Sequence, residues 1–241
     1  TEKPNQMKRR DFIKTTSIVA PLLSVFPADL SGITRILVPG KIEKRSLGRT
    51  GEMLSVIGFG GIVVMNATPE DASGMVKLAI DSGINYFDVA PSYGNAEIML
   101  GPALEPYRKD VFLACKTTER TRAGARKELE QSLKNLRTDH FDLYQHHAVT
   151  KMEDVDQLLG PDGAMETFIE ARREGKIRFI GFSAHSVQAA MALMDRFDFD
   201  TILFPFNYAT WYAGNFGPQV MAKAHEKNMG ILALKAMAKG P

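Results

Sequence analysis

From residue 44 onward, apolar runs of four to six residues alternate with longer stretches in which apolar positions recur every three or four residues. The first kind reads as buried strands, the second as amphipathic helices. Residues 45–48 and 53–56 flank Arg49-Thr50-Gly51-Glu52 and predict a hairpin. Residues 57–60 predict the first strand of the main body. Thr68-Pro69-Glu70-Asp71 opens a helix, with Thr as cap, Pro in the first turn and acids at the positive end of the dipole, and Gly83 stops it. Further strands are expected at 85–89, 111–115, 141–145, 177–182, 201–204 and 231–234. Helices are expected at 96–105, 121–136, 165–174, 187–195 and 219–227.

Strict alternation of strand and helix predicts a parallel sheet with helices on its faces. Seven such units favour an α/β chain of the (β/α)8 TIM-barrel type over a doubly wound open sheet, and no G-x-G-x-x-G opens the first helix. The eighth unit is missing from the pattern. An unclosed barrel leaves two strand edges unpaired, so the chain is expected to be a piece of a longer protein, a natural seven-stranded barrel being the alternative. The barrel domain is assigned to residues 44–241.

Residues 1–43 follow a different pattern, with seven basic against four acidic side chains. Lys8-Arg9-Arg10-Asp11-Phe12-Ile13-Lys14 resembles a twin-arginine export signal, and the apolar stretch 18–26 behind it is too short to span a bilayer. This segment is expected to be a signal peptide and linker that engages the export machinery and directs the chain to the periplasm; an unused signal would leave it cytoplasmic, and a disordered basic tail is the other reading. The whole chain carries a formal charge of +2, with 44 % apolar and 24 % charged residues. The body is thus close to neutral, which gives no reason to expect nucleic acid. A single cysteine, Cys115, excludes an internal disulfide and an all-cysteine metal site in this chain; no metal site is expected.

Four long, ordered motifs carry a resemblance: Arg45 through Gly61 (RSLGRTGEMLSVIGFGG), Asp81 through Gly94 with Glu97 beyond it (DSGINYFDVAPSYG), Leu136 through His147 (LRTDHFDLYQHH), and Glu174 through Ser183 (EGKIRFIGFS). They are similar to the corresponding segments of aldo-keto reductases. The resemblance implies a (β/α)8 barrel that reduces an aldehyde or ketone to an alcohol with a nicotinamide cofactor, NADP by family default and NAD as the alternative. Carried over residue by residue, Asp88, Tyr93, Lys116 and His147 are the implied catalytic set. Each stands at or just after the C-terminal end of an expected strand, where barrels of this type build their sites. Tyr93 is the implied proton donor. A nearby Lys116 ammonium would lower the phenol pKa, Asp88 would hold and balance Lys116, and His147 would orient the substrate oxygen. His146 is the competing histidine, and the motif D-L-Y-Q-x-H selects His147.

The resemblance also implies a cofactor grip through Gly60, Gly61 and Ile62 after the first strand, Asp88, Ser183 and Ala184 at the fifth, Leu203 on the sixth, and Leu234 and Lys235 at the seventh. Ala184, Leu203 and Leu234 stand where Asn, Gln and an aromatic residue are common, which weakens the expected amide contacts. A non-catalytic cofactor-binding scaffold, or an inactive fragment of a reductase, is the alternative function. Several smaller expectations complete the reading. The methionines 191, 194, 221, 229 and 237 are read as core fillers. Phe59 and Val63 are candidates for the pocket lining, and Tyr208, Trp211 and Tyr212 for surface packing or a substrate wall. Arg120, Arg122 and Arg126 read as a solvated helix start, and His185 as either a cofactor neighbour or a helix cap.

Overall fold

The computed structural model describes residues 42–237; the expected export signal lies outside them, apart from its last two positions. A two-stranded antiparallel hairpin, β1 (Lys44–Ser46) and β2 (Met53–Ser55), precedes a seven-stranded sheet. The sheet runs in chain order, every neighbour parallel: β3 (Phe59–Gly60), β4 (Tyr86–Asp88), β5 (Phe112–Thr117), β6 (Phe141–Val149), β7 (Ile177–Ala184), β8 (Thr201–Phe204) and β9 (Gly230–Ala233). It curls into a partial TIM barrel with β3 and β9 as its terminal strands.

The helices are α1 (Pro69–Asp81), α2 (Ala96–Leu104), α3 (Arg122–Asn135), α4 (Met152–Leu159), α5 (Ala164–Arg173), α6 (Val187–Arg196), α7 (Tyr208–Ala213) and α8 (Pro218–Glu226). Three of their starts are fixed by hydroxyl caps: Thr68, Thr121 and Ser186 accept from the N–H groups of Asp71, Gly124 and Ala189. The sequence pattern misses α4 and α7. In α4 the apolar positions Met152, Val155, Leu158 and Leu159 have helical spacing, but the element is only eight residues long. In α7, Asn207 caps what reads in the sequence as a loop: its side chain accepts from the Thr210 N–H at 3.0 Å.

Side chains alternate across each strand, which divides the core in two. One set packs outward under the helices, with Phe87, Leu113, Tyr144 and Phe182 fully buried there. The other set points into the barrel: Tyr86, Phe112, Ala114 and Leu143 meet Leu47 and Leu54 of the hairpin, with Phe179 and Leu232 alongside. The hairpin therefore plugs one end of the barrel. Its turn is anchored by Arg49, whose backbone N–H donates to the Asn228 carbonyl and whose guanidinium meets the Phe199 carbonyl and the Asp198 carboxylate. Gly48, at φ +51°, lies so close to the Met229–Gly230 backbone that a Cβ would overlap it.

Three smaller expectations are corrected, and for Tyr208, Trp211 and Tyr212 the surface-packing alternative holds. Met237 is exposed, whereas Met194 and Met229 are buried. Phe59 packs on Phe87 at 5.1 Å between ring centroids, and Val63 faces solvent. Tyr208 and Tyr212 are exposed while Trp211 packs against the core, and none of the three lines the central cavity. Arg120 is not solvated: it reaches inward, donating to the His147 carbonyl at 2.8 Å, and lies 3.6 Å from Asp154.

Candidate active site

At the C-terminal ends of the strands, opposite the hairpin plug, lies a cavity of about 360 Å³. Asp88, Tyr93, Lys116 and His147 all line it, joined by Gly60, Ser183, Leu203, Leu234 and Lys235. Gly58, Tyr86, His185 and Ala233 complete the wall. Gly61, Ile62 and Ala184 do not reach it. Gly61 is packed against Val89, Ile62 is half exposed on a 3₁₀ turn, and Ala184 points to the outer core, where it pairs with Val149. The strand alternation that turns Ser183 inward turns Ala184 outward.

Asp88 and Lys116 come from adjacent strands. Asp88 pairs with Ala114 and Lys116 with Gln145, and all four positions face the barrel interior. The Lys116 ammonium is fully buried; it donates to Asp88 Oδ1 and, at 3.3 Å, to the Val89 carbonyl. Asp88 Oδ2 accepts from the Tyr86 hydroxyl at 2.8 Å and from the Gln145 amide at 3.5 Å. Burial pulls the Lys116 ammonium down to about 7.

Tyr93 follows β4 on a short loop. Its ring lies edge-on to His147 at 5.9 Å, and the Lys116 ammonium stands 5.3 Å from its centroid. The expected net lowering of the phenol pKa is not met in this structure. Burial, with the Cys115 thiol as a lesser contribution, raises it. Lys116 donates to Asp88 and Val89 and not to the Tyr93 hydroxyl.

The two histidines separate cleanly. His146 points outward and is fully buried, stacked on Phe168 at 4.0 Å; neither of its ring nitrogens has a hydrogen-bond partner, and burial pushes it down to about 3. His147 faces the cavity. Burial first, then the charges of Lys116, Arg120 and His185, hold it at about 4, so its ring is neutral at ordinary pH. Its backbone is fixed from two sides. Arg120 donates to the His147 carbonyl. The next residue, Ala148, takes a left-handed φ of 53° at the irregularity of β6 and donates its N–H to Ser183 Oγ at 2.8 Å. His185 lines the cavity, and the cap of α6 is Ser186, so His185 does not serve as that cap.

The aldo/keto reductase family model matches residues 56–241. The chain belongs to that family. It is 34 % identical over 185 residues to an aldo-keto reductase of Bacillus subtilis, YhdN, covering 69 % of this chain and 54 % of that protein. It is 29 % identical over 217 residues to L-galactose dehydrogenase of Arabidopsis thaliana, covering 83 % and 67 %. The chain thus spans about half to two thirds of the length of these relatives. Among solved structures it is similar to an aldo-keto reductase of Pseudomonas aeruginosa, with a TM-score of 0.72 and 29 % identity over 82 % of this chain and 79 % of that one. Membership makes this aldo-keto reductase chain part of an oxidoreductase family that generally uses NAD(P)H. Among the described residues no helix is long and apolar enough to cross a membrane.

Proposed function

We propose that the protein reduces an aldehyde or ketone to an alcohol, with Tyr93 giving the proton to the carbonyl oxygen. The observation that carries this reading is the convergence of Asp88, Tyr93, Lys116 and His147 on one cavity at the C-terminal rim of the strands. A nicotinamide cofactor, NADPH by family habit, would supply the hydride. The wall suits its nicotinamide end. Leu203, Ala233 and Leu234 offer an apolar face, Ser183 a hydroxyl, and the volume falls within the range of small-ligand pockets but well short of a whole dinucleotide. Lys235 lies on the same rim.

The protein's own groups divide the remaining work. His147, neutral, donates a hydrogen bond to the substrate oxygen and sets its direction. Tyr93, kept protonated by burial, is loaded for proton transfer at neutral pH. The Lys116 ammonium beside its ring stabilises the phenolate left behind, and Asp88 holds that ammonium in place. Tyr93→Phe tests the mechanism. Reduction of 4-nitrobenzaldehyde with NADPH should fall at least about 100-fold, the usual scale of general acid catalysis, while cofactor fluorescence titrations stay near wild type. Near-normal turnover in that variant would exclude Tyr93 as the donor; cofactor binding without turnover even in the unaltered protein would favour a scaffold. Export remains a second proposal, resting on Arg9, Arg10, Phe12 and Lys14. A reporter fused behind residues 1–43 should reach the periplasm and be retained inside by the Arg9→Lys, Arg10→Lys double variant.

A further inference from the structure

We infer that Tyr86 is a positioning residue for the Asp88–Lys116 pair, and that residue 58 is glycine so that the Tyr86 ring can stand where its hydroxyl reaches Asp88. The inference rests on the proposed catalytic reading of that pair. Tyr86 and Asp88 are two apart on β4, so both side chains enter the barrel. A carboxylate held at one oxygen can still rotate its plane. Here Oδ1 takes the Lys116 ammonium and Oδ2 takes the Tyr86 hydroxyl at 2.8 Å, with the Gln145 amide a longer second donor, and the plane is fixed. As a packing residue alone, Tyr86 could be phenylalanine: its ring sits in the interior cluster beside Phe112. The hydroxyl adds only the bond to Asp88. Burial raises its pKa, so the group stays a donor throughout the working range.

Gly58 supplies an independent observation. Its backbone is not left-handed, so conformation does not call for glycine. Space does: a Cβ there would overlap Tyr86 Cδ1 and come within 2.9 Å of Cε1. A side chain at 58 must therefore push the Tyr86 ring aside and draw its hydroxyl off Asp88, although residue 58 never touches Asp88 itself. Two separate substitutions should thus give one phenotype. With Oδ2 stripped of its donor, more of the carboxylate charge falls on Lys116 and the pair holds its proton more tightly.

The test compares Tyr86→Phe, Gly58→Ala and their double variant with the unaltered protein, each checked for folding by circular dichroism. The Lys116 titration is followed by NMR of ¹³C-labelled lysine, without cofactor. The inference expects the midpoint, near 7 in the unaltered protein, to rise by about half a pH unit or more in Tyr86→Phe and in Gly58→Ala, and no further in the double variant. In NADPH-dependent reduction of 4-nitrobenzaldehyde, the alkaline limb of the pH–rate profile should move the same way. On the plateau below that limb kcat should fall about ten-fold, the scale of one hydrogen bond to a charged group, while KM for NADPH changes less than two-fold. An unshifted Lys116 titration in Tyr86→Phe overturns the inference, and that variant decides alone if Gly58→Ala does not fold. Asp88→Asn separates the two readings. Full turnover in Asp88→Asn with a shifted titration in Tyr86→Phe would remove the catalytic reading and leave the positioning intact; lost turnover with an unshifted titration would do the reverse.

Discussion

His146 and His147 are neighbours in the chain and opposites in chemistry. The inward residue meets solvent and substrate space; the outward one is sealed against Phe168 with no partner for either nitrogen. A histidine held near 3 when folded and near its ordinary value when unfolded costs stability as acid is added, because only the unfolded chain takes up the proton. From about pH 6.5 down to 4, His146 alone should remove about 1.4 kcal/mol of stability per pH unit. Urea melts across that range should show the slope, and His146→Phe, which keeps the stack, should flatten it. The activity profile follows from the two cavity groups. His147 is neutral above about 4, and Lys116 is cationic below about 7. Initial rates of carbonyl reduction should therefore hold a plateau between these values and decline on the alkaline side as Lys116 loses its charge.

At the scale of elements, β7 shows how tightly the barrel interior is drawn. Gly181 faces inward, and a Cβ there would overlap the Thr201 hydroxyl and lie 3.1 Å from Leu143 and 3.2 Å from Gln145. Gly181→Ala should cost about 1–3 kcal/mol in a denaturant melt, and it should disturb Gln145 and with it the Asp88 contacts. The sequence makes the elements near the site readable because strand alternation and long motifs agree. Asp88, Tyr93, Lys116 and His147 were legible both as residues at strand ends and through the family likeness. Arg120 was not. It looks like one of several surface arginines in Arg120-Thr121-Arg122, and only the approach of the β6 irregularity, created by the left-handed Ala148, gives it a carbonyl to hold. Tyr86 was equally hidden, since a strand tyrosine reads as packing until the space left by Gly58 is seen. Ala184 misleads for a simpler reason: adjacency in sequence to an inward serine places it on the opposite face.

Across the whole molecule, the architecture was legible from the order of strands and helices, and the hairpin was legible too, but not what the hairpin does. Leu47 and Leu54 carry no mark in the sequence that sends them into the barrel rather than onto its surface; their partners come from five later strands and are known only once the sheet curls. Leu54→Ala should lower stability by about 2–5 kcal/mol and expose the hairpin to limited proteolysis before the rest of the sheet. The cavity at the far end should keep its lining residues in place under mild conditions, so binding should survive where stability has dropped. NADPH titrations of the variant at low temperature would check this.

The apolar plug has an electrical meaning. Leu47, Leu54, Phe112, Leu143, Phe179 and Leu232 form an insulating floor beneath the Asp88–Lys116 pair. Field lines from those charges cannot spread downward into water and leave through the mouth, past Tyr93 and His147. Whatever sits in the mouth is thus coupled to Lys116 across a poorly screened path. A single charge added or removed there, on Lys235, on His185 or on the substrate, will retune the proton affinity of the buried lysine more strongly than its distance alone would suggest.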